Sequence, residues 1–250
     1  MRRGLVGTRT AAQRVIAEGR VVVPGVPTPR AATLVEPQAD LSIREGGPQW
    51  ASRGGLKLAG ALAAFAVAVE GRRCLDVGAS TGGFTDVLLA RGAAAVVAVD
   101  VGYGQLDWRL RSDPRVTVRD RVNFRLADPT SLGAPFDLVV ADVSFISLRL
   151  LAANLAACGR AGTEYVVLVK PQFEVGREQV GRGGLVTDPS LHLAALQGVA
   201  AAFEAAGLGA AGVCVSPITG ATGNREFFIH SVWGAGGSLS PGSLDEVVLA

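Results

Sequence analysis

Cys74-Leu75-Asp76-Val77-Gly78-Ala79-Ser80-Thr81-Gly82-Gly83-Phe84 is the stretch on which the fold turns. Its first four residues predict a buried strand that stops at a glycine, and a helix is expected from about Thr85 to Arg91. The same alternation repeats outward in both directions. Helices are predicted over about 54–69, 104–112, 147–158 and Ser190–Ala206. Strands are predicted over Ala94–Asp100, 115–119, Phe136–Asp142 and Glu164–Lys170, with final strands at Val213–Ser216 and Phe227–His230. Strands separated by helices imply an α/β fold, a doubly wound parallel sheet covered on both faces. Ligands in such sheets sit beyond the carboxyl ends of the strands, and Asp76, Asp100, Asp142 and Lys170 all fall at or near such ends.

Residues 1–46 read differently. Thr8 is placed to cap a short helix, Arg9–Glu18, that Gly19 ends. Val21–Val23 and about Asp40–Arg44 read as two short strands. This small helix-plus-hairpin unit holds seven arginines against four acids, while the chain as a whole carries a net charge of only +2. A basic front end on a neutral body suits contact with nucleic acid, and equally a solvated surface. Gly46-Gly47-Pro48-Gln49-Trp50 reads as a linker.

Composition excludes several classes. Nearly half of the 250 residues are apolar, enough for a sizeable core. The longest apolar stretch, Leu58–Val69, is too short to span a bilayer, and no signal peptide is expected after Met1-Arg2-Arg3. Cys74, Cys158 and Cys214 are scattered and contain no C-x-x-C, so neither a zinc site nor a disulfide framework is implied and a cytoplasmic setting is expected. His192 and His230 have no neighbours at metal-ligand spacing, and no metal is expected.

The glycine-rich turn lets a ligand approach the backbone, but it is not G-x-G-x-x-G, which disfavours a nicotinamide dinucleotide. Asp76 near the end of one strand and Asp100 ending the next suit a ligand with ribose hydroxyls and a cationic centre. S-adenosylmethionine has both. The expected binding set is Asp76, Gly78, Ser80, Gly82, Gly83, Phe84, Asp100, Asp120 and Asp142, with Asp100 on the ribose and Asp120 on the adenine amino group. A tight turn without a ligand is the plainer alternative. Of the 24 lysines and arginines only two, Lys57 and Lys170, are lysines. Arginine cannot give up its proton, whereas lysine can, so two retained lysines mark positions where arginine would fail. Asp142 and Lys170, at adjacent strand ends, make either a structural salt bridge or a proton-handling pair. Glu226, by itself, is an ordinary acid at the start of a late strand.

Ser52-Arg53-Gly54-Gly55-Leu56-Lys57-Leu58, the Asp76–Phe84 turn, Ala141–Ser147, Val169–Glu174 and Asn224–Phe228 together resemble the TlyA family, FtsJ-like ribose 2′-O-methyltransferases fused to an S4-type RNA-binding domain. The resemblance runs from Thr8 to about Trp233. It implies a Rossmann-like methyltransferase domain over 52–236, a linker over 47–51 and an S4-like domain over 1–46, beside an uninterpreted tail over 237–250. Family members usually carry a further helix before the one at Arg9–Glu18, so the S4-like domain is expected to be N-terminally truncated here. It also implies S-adenosylmethionine as cofactor and ribosomal RNA, or ribosomal subunits, as partner. The family's lysine–aspartate–lysine–glutamate set falls on Lys57, Asp142, Lys170 and Glu226, which takes in both lysines.

In that reading Lys170 removes or steers the proton of a ribose 2′-hydroxyl, Asp142 orients Lys170, and Lys57 and Glu226 position the ribose. Arg9, Arg14, Arg20, Arg53, Arg121 and Arg125 are the expected RNA contacts. Asn123, Arg119, Arg177 and Arg182 are further candidates, equally readable as surface residues. Three other functions compete: a haemolysin-like membrane-active protein (a label the family has carried), an RNA-binding assembly factor without catalysis, and a small-molecule methyltransferase. No membrane contact is expected, and the sequence leaves the oligomeric state open.

Overall fold

The structure, a computed structural model, describes residues 3–17, 20–26, 29–43, 50–237 and 239–249, with the backbone alone for Thr10, Ala11, Arg14, Ala17 and Pro241. In the front unit a helix, α1 (Arg9–Ala17), precedes two antiparallel strands, β1 (Val21–Val22) and β2 (Ser42–Ile43), in which Val21 pairs with Ile43. Val15, Ile16, Val21, Val23, Leu41 and Ile43 line a small apolar cavity of about 200 Å³ between these elements. The predicted helix stop at Glu18-Gly19 and most of the linker lie outside the described residues.

The body alternates α2 (Gly54–Ala64), β3 (Arg73–Val77), α3 (Gly83–Ala90), β4 (Ala95–Val99), α4 (Trp108–Arg111), β5 (Val116–Arg119), α5 (Pro129–Leu132) and β6 (Leu138–Ala141). It continues through α6 (Ala152–Ala157), β7 (Glu164–Val169), α7 (Pro171–Glu174), α8 (Pro189–Ala205), β8 (Leu208–Val215), β9 (Phe227–Trp233) and α9 (Pro241–Leu249). One seven-stranded sheet has the order β5-β4-β3-β6-β7-β9-β8. From β3 the chain steps outward to β4 and β5, then returns to place β6 on the other side of β3. The gap between β3 and β6 is therefore the topological switch point, where the crevice beyond the strand ends opens.

Alternation along the strands supplies two cores. Leu75, Val77, Val139, Ala141, Tyr165 and Val167 face α6, α8 and α9, while Cys74, Val96, Leu138, Val140, Val166 and Leu168 face α2 and α3. Asp76 falls on the second face at a position where an apolar residue would complete the pattern. Among the described residues no helix is long and apolar enough to cross a membrane.

Three expectations are corrected. The sheet is not wholly parallel: β9 runs antiparallel to both β7 and β8. The short link between β8 and β9 has no crossover helix, and a parallel pair would need one. The helix predicted to Val69 stops at Ala64, because Ala66 is left-handed (φ 53°) and Val67 N–H donates to the Leu62 carbonyl while Ala66 N–H donates to Ala63. That is a Schellman stop with alanine where glycine usually stands, so its signal was hidden in an apolar run. The helix predicted over 104–112 shrinks to Trp108–Arg111, capped by Asp107, whose side chain accepts from Arg109 N–H. The uninterpreted tail contains α9, started by Ser240 and Pro241, with Leu244 and Val248 buried.

The N-termini of α2 and α3 meet at glycines. A methyl group on Gly83 would lie 2.8 Å from the Gly55 amide nitrogen and collide with Ser52 Oγ. Gly83→Ala is expected to push the two helices apart and cost about 1–3 kcal/mol, read as a lower midpoint in urea unfolding.

Candidate active site

Strand pairing fixes the centre of the site. Val77 is in register with Ala141, and Asp142 N–H donates to the Val77 carbonyl at 2.9 Å, so Gly78 and Asp142 leave the sheet side by side. Gly78 takes φ +83°, and a Cβ there would overlap the Asp142 carbonyl oxygen. Only glycine satisfies both conditions. The turn continues through Ser80, itself left-handed at φ 48°, into α3. Asp100 holds it from below: one carboxylate oxygen accepts from Ser80 N–H at 2.8 Å and the other from Gly102 N–H at 2.7 Å.

Above the turn lies a cavity of about 300 Å³, a size that accommodates a small-molecule ligand. Lys57, Asp142 and Lys170 line it together with Gly78, Ser80, Gly83 and Phe84, so both lysines meet although 113 positions separate them. Each faces a carboxylate. Lys57 Nζ lies 2.5 Å from Glu226 Oε2, with side chains 10% and 3% exposed, and Lys170 Nζ lies 2.5 Å from Asp142 Oδ1. Lys170 also donates to Ser144 Oγ at 2.9 Å. An ammonium has three donors; Ser144 takes one, while Asp142 Oδ1 meets the ammonium as an ion pair outside hydrogen-bond geometry, so donor capacity remains for a further partner.

Asp76 is fully buried. Thr85 Oγ1 donates to its Oδ2 at 2.7 Å, while Oδ1 has no hydrogen-bond partner among the described residues. Burial pushes its carboxyl up to about 7, against the lowering effect of the Thr85 hydroxyl, with Asp142 and Asp100 adding to the rise.

The other predicted residues fall in different places. Gly82, at φ +98°, sits against Leu110 and Leu106 and serves packing. Asp120 is paired with Arg111 and accepts from Gly104 N–H at 3.2 Å; like Asp76, Asp100 and Glu226, it is not among the residues that line the cavity itself. Arg53 lines the cavity. Arg9, Arg121 and Arg125 are exposed, Arg20 is half-buried, and the Arg14 side chain lies outside the described residues. Arg121 stacks on the Tyr103 ring at 4.2 Å, and Asn123 caps the turn that carries Arg125.

Sequence reasoning gave no role to Ser52 and Ser144, which line the cavity, to Thr85, or to Phe145, which is 91% exposed beside Ser144 at φ 64°. Nothing in their spacing set them apart. Among the described residues no group of His, Cys, Asp or Glu side chains could hold a metal ion.

The model of the FtsJ-like methyltransferase family matches residues 50–232. The chain belongs to that family. It is 49% identical over 249 residues to the 16S/23S rRNA (cytidine-2′-O)-methyltransferase TlyA of Mycobacterium tuberculosis, covering 99% of this chain and 93% of that protein. It is 35% identical over 230 residues to Hemolysin A of Brachyspira hyodysenteriae, covering 92% and 95% of the two chains. A solved structure from Streptococcus thermophilus, provisionally described as a hemolysin, is 41% identical and superposes with a TM-score of 0.80, covering 99% of this chain and 91% of the other.

An FtsJ-like methyltransferase implies S-adenosylmethionine as methyl donor, and the residues present fit it. Gly78 and Gly83 of the turn line the cavity, and the buried Asp76 Oδ1 lacks a hydrogen-bond partner among the described residues. Asp142 Oδ1 lies close to Lys170 but outside hydrogen-bond geometry. Both are acceptors suited to a cationic ligand.

The raised Asp76 carboxyl has a definite consequence for stability. Between its ordinary value near 3.8 and about 7, the folded chain binds more protons at this site than the unfolded chain. The stability of the protonated form is fully present below 3.8, falls as pH rises, and levels off above 7. Asp76→Asn is expected to remove that slope, which reaches about 1.4 kcal/mol per pH unit, in urea unfolding followed from pH 4 to 8. An unchanged slope would assign it to other groups.

Proposed function

We propose that the protein transfers the methyl group of S-adenosylmethionine to a ribose 2′-hydroxyl of ribosomal RNA. The observation that carries this reading is the convergence of the chain's two lysines on one cavity, each against a carboxylate. The printed function of the M. tuberculosis relative supports the substrate. The cofactor would be held by the Gly78–Phe84 turn, with Asp76 and Asp142 facing its positive groups, Asp100 its ribose and Asp120 its adenine. It supplies an electrophilic methyl group.

The chain's own residues then have to hold and activate a poor nucleophile, a 2′-hydroxyl that still carries its proton. Lys170, held by Asp142 and Ser144, keeps donor capacity for that oxygen. As an ammonium it orients the hydroxyl, and as a neutral amine it accepts the proton. Arginine has neither the compact shape for the first role nor the proton affinity for the second. Lys57 and Glu226 close the other side of the cavity and position the ribose. Much of the acceleration comes from holding acceptor and donor in line.

Residues 1–46, as an S4-like unit, would contribute RNA contacts through Arg9, Arg14 and Arg20, joined on the body by Arg53, Arg121 and Arg125. Phe145 offers an exposed ring next to Ser144, the partner of Lys170, a face on which a nucleobase can stack.

Lys170→Arg is expected to abolish transfer of labelled methyl from S-adenosylmethionine to purified ribosomal subunits, with cofactor binding retained by calorimetry. The wild-type signal should survive protease and disappear with ribonuclease. Near-normal turnover in the variant would remove Lys170 from the reaction. Phe145→Ala should lose about 1.4 kcal/mol of RNA contact, near the low end of what a base stacked on an aromatic ring contributes, which is about tenfold in kcat/KM for RNA, and leave cofactor affinity unchanged.

A further inference from the structure

Glu174 is a buried carboxylate that the reaction described above does not use. It closes the short helix α7, whose N-terminal boundary residue is Lys170. Both of its carboxylate oxygens reach across to the segment after β6. Oε2 accepts from Ser147 Oγ at 2.5 Å and Oε1 from Leu148 N–H at 2.7 Å. Arg149 completes the join: it donates to the Glu174 carbonyl at 2.8 Å and places its guanidinium 3.5 Å from Oε2. Burial pushes this carboxyl up, while Ser147, Leu148 and Arg149 work in the opposite direction. A group kept in the interior against its own desolvation is better explained by the geometry it imposes than by net stability.

That geometry concerns four residues. The loop Val143–Ile146 is strung between two anchors: Asp142, tied to Val77 and Lys170, and Ser147–Leu148, tied to Glu174. Phe145 sits within it in the left-handed region, a conformation that costs a bulky L-residue about 1–2 kcal/mol and persists only when the surroundings over-determine it. Its ring meets Phe173, the residue before Glu174, at 5.2 Å between centroids. Ser144, in the same loop, accepts from Lys170.

We propose that Glu174 is a positioning residue for RNA methylation, which clamps the strand-end loops of β6 and β7 together and so fixes the outward face of Phe145 and the Ser144 partner of Lys170. This rests on the function proposed above. A purely structural role predicts a different pattern of effects, because it would lower stability without coupling to Phe145.

The test is a double-mutant cycle on the full chain with purified ribosomal subunits. Glu174→Ala and Phe145→Ala are each expected to lower kcat/KM for RNA about tenfold, and the double variant also about tenfold rather than a hundredfold, because both act through one loop. Cofactor affinity by calorimetry should stay within twofold of wild type. Glu174→Gln keeps the shape and the acceptor for Leu148 N–H and should fall between wild type and alanine. It carries the cycle if the alanine variant does not fold. Effects of Glu174 and Phe145 that multiply, or a Glu174 variant within twofold of wild type, would overturn the inference while leaving the methyltransferase reading intact. A wild-type protein that binds S-adenosylmethionine but methylates no RNA would overturn both.

Discussion

The pairing of β3 with β6 is the constraint on which the rest of the molecule depends. Because Val77 and Ala141 share a rung, the chain must leave the sheet at two adjacent points, with the Asp142 carbonyl against the Cα of Gly78. A side chain at position 78 would force those ends apart. With glycine there, the cofactor-type turn and the acid that serves Lys170 stand in contact. The next rung, Ala141 with Val167, sets how far β7 extends before Lys170 emerges. The crevice therefore follows from strand order and register, and the side chains occupy a place the backbone has already made.

The two lysine–carboxylate pairs differ in their burden. Lys57–Glu226 is buried on both sides, and an ion pair so placed gives little net stability because desolvation offsets the attraction. Breaking it is costly, since one charge would remain buried alone. Lys170–Asp142 is closer to water on the aspartate side and shares Ser144. One pair is thus built to stay closed, and the other keeps a free donor at the cavity. That asymmetry is what a site needs when one group must meet a substrate and its neighbour must only hold position.

Polar groups beneath the site serve geometry in the same way. Asp100 spends both oxygens on the backbone of the turn and its neighbour, and Asp86 accepts from Ala51 N–H and grips Arg109. Asp76 keeps an oxygen without a hydrogen-bond partner among the described residues, at a position where strand alternation would otherwise place an apolar side chain. A buried acceptor without a donor is unfavourable in the isolated chain and becomes favourable when a positive group arrives.

Much of this was legible in the sequence. The alternation of strands and helices, the glycine turn, the acids at strand ends and the scarcity of lysine are local or compositional features, and periodicity and residue chemistry suffice to read them. Strand direction at the far edge was not legible, because β9 chooses its neighbours by long-range pairing. The stop of α2 at Ala66 was hidden because a Schellman turn without glycine leaves no mark in an apolar run. Tertiary structure alone brought Lys57 to Glu226 across 169 positions, put Ser144 under Lys170, and tied Glu174 to Ser147. Those contacts join elements distant along the chain, and their partners are fixed by packing and register, which no local pattern of residues encodes.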